Sequence, residues 1–114
     1  MSRTEARVAT ERPHRYARQL AAHMGRRIEA VWDDAAGHGR LSFPFGEVEL
    51  TAEPGALLLA ASGAAADLER LEDVLGRHLV RFGTREELVV RWVRDTGGPG
   101  LVQRGGEAAG PSGT

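Results

Sequence analysis

Apolar and polar residues alternate through LSFPFGEVEL, residues 41 to 50, but the alternation changes parity part-way: Leu41, Phe43 and Phe45 are odd, Val48 and Leu50 even. Inward-facing residues of one uninterrupted strand share parity, so a turn or bulge must fall between the two sets. Pro44 and Gly46 supply it. The same period of two predicts strands near 4–10 with Ala6 and Val8 inward, near 28–33 with Ile28, Ala30 and Trp32, and near 40–44, 47–53 and 56–61. A last strand runs from Leu88 to Arg94, with Leu88, Val90 and Trp92 inward. Glu53-Pro54-Gly55 reads as a second hairpin turn, and residues 35–39 as a longer loop.

Two segments carry the helical period instead. Tyr16, Leu20 and Met24 recur every four residues with Ala17 and Ala21 beside them, predicting a helix over about 12–25 that Pro13 starts and Gly25 ends. Leu68, Leu71, Leu75, Leu79 and Phe82 line one side of a second helix, about Ala64 to Phe82, with Gly83 as its stop. Its acids come early and Arg77, His78 and Arg81 late, as the helix dipole favours.

The order is strand, helix, four strands in hairpins, helix, strand: an α+β domain over residues 1–94. Hairpins make neighbouring strands antiparallel, and each helix has one apolar stripe to bury, so both pack on one face of the antiparallel sheet. The other face carries Glu5, Arg7, Glu29, Asp33, Arg40, Ser42, Glu47, Glu49, Thr51 and Arg91. Val31, Val89 and Val93 are its apolar exceptions, open to two readings: a small contact with a protein partner or a second copy of the chain, or isolated exposed valines. Residues 95–114 hold seven Gly without periodicity and read as a flexible tail that adds nothing to folding.

Composition narrows the function classes. The 114 residues contain no Cys, which removes disulfides, thiolate metal sites and thiol nucleophiles together and fits a cytoplasmic setting. No apolar run is long enough to span a membrane, and MSRTEARVATERP lacks the apolar core of a secretory signal. All fifteen basic residues are Arg, and charge is segregated: net +5 over 1–27, −8 over 28–76 and +2 over 77–114. The acidic middle and the six aromatics argue against nucleic acid, which wants a continuous basic face with stacking rings.

His23 and His78 are the candidates for chemistry. At 100° per residue each falls where an apolar stripe meets its polar edge, and two helices side by side on one sheet can bring those flanks together. An imidazole pair there could bind an anion, act as acid and base or, as the weaker option, hold a metal, with Arg12, Tyr16, Gln19 and Arg81 around the same cleft. The alternative is architectural: boundary histidines often give one nitrogen to a backbone carbonyl and pack the ring. No metal site is expected, because there is no HxxxH or Cys-based spacing, and no cofactor motif is present: GGPG lacks the GK[ST] of a phosphate loop.

Thr10, Arg15-Tyr16, Leu20, His23, the hairpin set Gly39, Arg40, Leu41, Phe43, Phe45 and Gly46, then His78-Leu79, Arg81-Phe82, Arg85-Glu86, Leu88 and Trp92 follow one another in a characteristic order. On these residues the chain resembles, over about 4–94, the bacterial family of domain of unknown function 2218. The resemblance implies a TATA-binding-protein-like topology, a curved antiparallel sheet with two helices on one side. It implies no assigned activity. Because the domain also occurs joined to siderophore-interacting flavoproteins, it implies an accessory role in iron or siderophore handling. Met24 stands where relatives are expected to have an aromatic residue and Ala21 where they have Cys. Two functions follow as expectations: a non-enzymatic accessory or binding domain for an unidentified small molecule or protein partner, or a small enzyme using His23 and His78 as acid/base or metal-site residues.

Overall fold

The computed structural model describes residues 1–82 and 87–104. In chain order the elements are β1 (Ser2–Ala9), α1 (Pro13–Met24), β2 (Glu29–Asp33), β3 (His38–Phe43), β4 (Gly46–Glu53), β5 (Ala56–Gly63), a 3-10 turn (Ala65–Asp67), α2 (Leu68–Phe82), β6 (Val89–Arg94) and β7 (Pro99–Arg104). The strands form one antiparallel sheet in the order β2-β3-β4-β5-β1-β6-β7.

Turn chemistry sets the register. Phe43 pairs with Gly46 across Pro44-Phe45, which is where the parity of the apolar residues changes. Glu53 pairs with Ala56 across Pro54-Gly55, and Gly55 has φ +81°, a conformation the second central position of such a turn demands. These hairpins place Leu41, Val48, Leu50, Leu57, Leu59 and Ala61 on the same face as Ala6, Val8, Val90 and Trp92, all buried. Both helices cover that face. From α1 come Tyr16, Ala17, Leu20, Ala21 and Met24, and from α2 come Leu68, Leu71, Leu75 and Leu79. Trp92, 1% exposed, belongs to the core, as the alternation around it predicts.

The opposite face is polar and three of its arginines are paired: Arg3 with Glu5 at 2.8 Å, Arg7 with Glu53 at 3.9 Å and Arg40 with Glu49 at 3.8 Å. Val31 and Val93 are exposed there.

One expectation needs correction. Residues 99–104, read as part of a flexible tail, form β7 and pair with β6 from Val89↔Arg104 to Val93↔Pro99. The reason lies 29 residues away in sequence. Glu72 on α2 is fully buried; its Oε1 accepts the Leu101 N–H at 3.0 Å and the Arg94 Nη2 at 2.9 Å, while Oε2 accepts the Thr4 hydroxyl at 2.8 Å and Arg94 Nε at 3.0 Å. Gly100 lets the backbone come this close, since a Cβ there would collide with the Glu72 carboxylate and with Trp92. Burial pushes the Glu72 carboxyl up, but the bonds from Arg94, Leu101 and Thr4 outweigh it and hold the carboxyl below its ordinary value. The α2 boundary also differs slightly, because residues 65–67 wind as a 3-10 turn before the α-helix begins at Leu68. Gly83, read as the stop of α2, and the tail beyond Arg104 lie outside the described residues.

Candidate functional site

Lying side by side on the sheet, α1 and α2 bring the flanks of their apolar stripes together, and the His23 and His78 rings meet with centroids 4.8 Å apart at 47°. His23 also stands edge-on to Phe82, 5.8 Å away. The His78 Nδ1–H donates to the Val74 carbonyl at 2.6 Å. A carbonyl can only accept, so in the neutral ring the proton is on Nδ1 and the lone pair on Nε2. His78 thus gives one nitrogen to the backbone, as the architectural alternative expects, and Nε2 is the ring's other nitrogen.

The pair borders a cavity of about 590 Å³ closed by the end of α1, the β3–β4 hairpin and one side of α2. Met24, Ile28, Phe43, Pro44, Phe45 and Val74 form its apolar wall, and His23, His78 and five arginines, Arg26, Arg27, Arg70, Arg77 and Arg81, its polar one. Among the described residues no carboxylate lines it. Arg77 lies 3.5 Å from Asp73. Among the described residues no salt bridge joins the other four arginines to a carboxylate.

Helix geometry explains how α2 contributes so many of these groups. Arg70, Val74, Arg77, His78 and Arg81 fall within an arc of about 100°, opposite the buried Glu72. Cations near the ends of α1 and α2 also complement the helix dipoles. The dipole does not account for Arg70. It sits in the first turn of α2, where a cation is disfavoured, and its guanidinium lies over the Phe45 ring, 3.9 Å from the centroid. Phe43 packs beside Phe45 with centroids 5.2 Å apart, so the hairpin presents an aromatic floor.

The cationic surroundings act on His23. Partial desolvation, then His78, Arg26, Arg27 and Arg81, hold its imidazole below the ordinary value of 6.5. A metal cation would meet the same field, and among the described residues no cluster of three His, Cys, Asp or Glu side chains could hold one.

Of the residues expected at the site, His23, His78 and Arg81 line the cavity; Arg12, Tyr16 and Gln19 do not. Tyr16 is a core residue, and Arg12 and Gln19 are exposed one or more turns before the end of α1, the only part of that helix the cavity reaches. The residues missed are Arg26, Arg27, Arg70 and Arg77 and the two phenylalanines. Their signal is present in the sequence as a basic stripe at i, i+7 and i+11 on α2. A second concavity, about 550 Å³ on the open sheet face, mixes Arg3, Arg7 and Arg91 with Glu5 and Glu49, so it has no comparable charge.

The fold and cavity define a small α+β domain: an antiparallel sheet, two helices on one face, and a cationic cleft with an aromatic floor where the helices meet. The chain belongs to the family described as an uncharacterized protein conserved in bacteria, DUF2218, whose model matches residues 5–93. It is similar to PA4090 from Pseudomonas aeruginosa, solved by NMR, with 29% identity and a TM-score of 0.67 over 81% of this chain and 95% of that one. No curated protein matches the chain. No helix among the described residues is long and apolar enough to cross a membrane.

Proposed function

We propose that this domain binds a small anionic molecule bearing a flat apolar or aromatic portion, in the cleft between α1, α2 and the β3–β4 hairpin. One observation carries the proposal: five arginines and two histidines converge on a single cavity that, among the described residues, no carboxylate lines. Holding that many cations together costs Coulomb energy, which a bound oxyanion would repay through charge-assisted and forked hydrogen bonds. Phe43 and Phe45 offer a face for a ring, and Arg70, already stacked on Phe45, could hold an acidic group at the edge of that ring.

A ferric catecholate complex belongs to this ligand class, being polyanionic with aromatic faces. The accessory role in iron or siderophore handling that the family resemblance implies therefore has a chemical route, in which the domain holds the loaded siderophore and needs no metal ligand of its own. The 4.8 Å approach of His23 and His78 favours a second reading, an enzyme that uses the pair for proton transfer. The two differ in whether a bound ligand is turned over.

The test is titration with naphthalene-2-sulfonate, inorganic phosphate and the neutral naphthalene-2-methanol, followed by NMR shifts of the histidine and arginine side chains. The sulfonate should bind with shifts centred on His23, His78 and Arg70, the neutral compound should not, and Arg70→Gln should weaken binding about tenfold or more, the loss of one charged hydrogen bond. Equal binding of the charged and neutral compounds, or shifts confined to the open sheet face, would overturn the proposal.

A further inference from the structure

The cleft holds a titratable group among fixed charges, and this arrangement has a thermodynamic consequence for any anion that enters. His23 is reached by charge from two sides. Arg26 and Arg27 follow it on its own chain segment, while His78, Arg81 and Arg77 face it from α2, the last paired with Asp73. The hairpin on the third side brings Phe43, Pro44 and Phe45, none of which carries charge. Among the described residues, an imidazolium at His23 in the empty cleft therefore meets only like charge in the cavity wall, with a second imidazole 4.8 Å away.

We infer that the cleft captures its anion together with a proton, which goes from solvent to the unprotonated nitrogen of His23, so that occupancy is controlled by pH. The inference rests on the anion-binding reading above and adds its regulation. In the empty domain the surrounding guanidiniums repel the proton. A bound oxyanion reverses the local field, and the imidazolium that then forms is both a further donor and a counter-charge. His78 stands beside it with its Nδ1–H committed to the Val74 carbonyl.

The direction follows from linkage. The bound state holds the proton more tightly than the free state, so affinity is highest at acid pH, falls as pH rises through the pKa of His23 in the complex, and levels off above it. Each unit by which the anion raises that pKa makes the acid-limit affinity about tenfold tighter than the alkaline limit.

The experiment needs a probe whose own charge is constant, which excludes phosphate and selects naphthalene-2-sulfonate. Its affinity for the full chain, measured by isothermal titration between about pH 5 and pH 8, should fall about tenfold or more. Repeating the titration near pH 6.5 in buffers of different ionisation heat should reveal net proton uptake. His23→Gln should flatten the profile, whereas His38→Gln, on an exposed strand position, should retain it. Binding that is tight but independent of pH would overturn proton coupling and leave the anion site standing, as would a slope that survives in His23→Gln. Absence of sulfonate binding at every pH would overturn both.

Discussion

Replacing Glu72 tests whether the buried carboxylate fastens the C-terminal strands to α2. Its side chain is fully buried and accepts four hydrogen bonds, two of them from the Arg94 guanidinium in a forked arrangement and one each from Thr4 and Leu101. Glu72→Ala removes both acceptor oxygens and all four hydrogen bonds at once, leaving the Leu101 N–H without that partner and the Thr4 hydroxyl with only the Val93 carbonyl at 3.3 Å. Deleting one member of a buried ion pair costs about 3–5 kcal/mol. Because the Arg94 side chain is 26% exposed and can turn part of its charge to water, the low end applies, about 3 kcal/mol. At about 4–8 °C per kcal/mol for a domain of this size, the thermal midpoint should drop by roughly 12–24 °C. Glu72→Gln keeps the shape but turns an amide N–H₂ towards donors, and about 2 kcal/mol is expected.

Urea unfolding followed by Trp fluorescence measures both values, and a pH series separates charge from packing. The Glu72 carboxyl lies below its ordinary value of 4.5 in the folded chain, so its contribution is complete above that pH and is lost as pH falls through the lowered value. Wild type should therefore lose stability in acid more steeply than Glu72→Gln. If Glu72→Ala changed stability by less than about 1 kcal/mol with an unaltered acid profile, the carboxylate would not be what fastens the strands.

Trp92→Ala, on a side chain 1% exposed, should cost about 3–5 kcal/mol by urea unfolding. Truncation after Asp95 should cost about 2 kcal/mol or more, since it removes the half-buried Leu101 and the N–H that Glu72 accepts, whereas a true tail would leave stability unchanged. Gly100→Ala should lower the thermal midpoint by pushing β7 off Glu72 and Trp92. In the absence of anions stability should decline as pH falls through 6.5, because the unfolded chain takes up the His23 proton more readily than the folded one; thermal melts of His23→Gln should show a smaller decline.

Most of the sheet is legible because its causes are local. A parity change must be resolved by a turn, and Pro44 and Gly46 stand where Phe43 pairs with Gly46. The approach of His23 to His78 is permitted by the sequence but not required by it: both lie on stripe edges of helices that share one face, and only the packing of the helices brings the rings to 4.8 Å. β7 is not legible, because its causes are distant. Only Leu101 and Val102 in Pro99–Arg104 look like strand residues, and the strand is held by pairing with β6 and by a carboxylate on α2. Gly100, which in sequence signals flexibility, is the residue that permits the docking. Arg12, Tyr16 and Gln19 extend the His23 flank back along α1, but the cleft is bounded by the β3–β4 hairpin and reaches only the end of that helix.

Two faces of α2 separate stability from function. On one, a buried charge has every partner it needs: Glu72 is matched by Arg94, Thr4 and Leu101, so ligands have nothing to add there. On the other, Arg70, Arg77, His78 and Arg81 gather with Arg26, Arg27 and His23 around a cavity that, among the described residues, no carboxylate lines. A fold selected for stability alone would place a glutamate among them, as it does on the open sheet face, where Arg40 meets Glu49 and Arg3 meets Glu5. Leaving Arg26, Arg27, Arg70 and Arg81 without a carboxylate partner among the described residues costs some of the stability that Glu72 and the Trp92 core supply, which is the pattern expected where a site is kept ready for a ligand. Introducing that missing carboxylate gives a direct measure. Val74→Glu, within the cleft on α2, should raise the thermal midpoint at neutral pH and weaken naphthalene-2-sulfonate binding about tenfold or more. If the substitution weakened binding without stabilising the domain, the arginines would not be in mutual repulsion, and the charge of the cleft would have to be explained without a ligand.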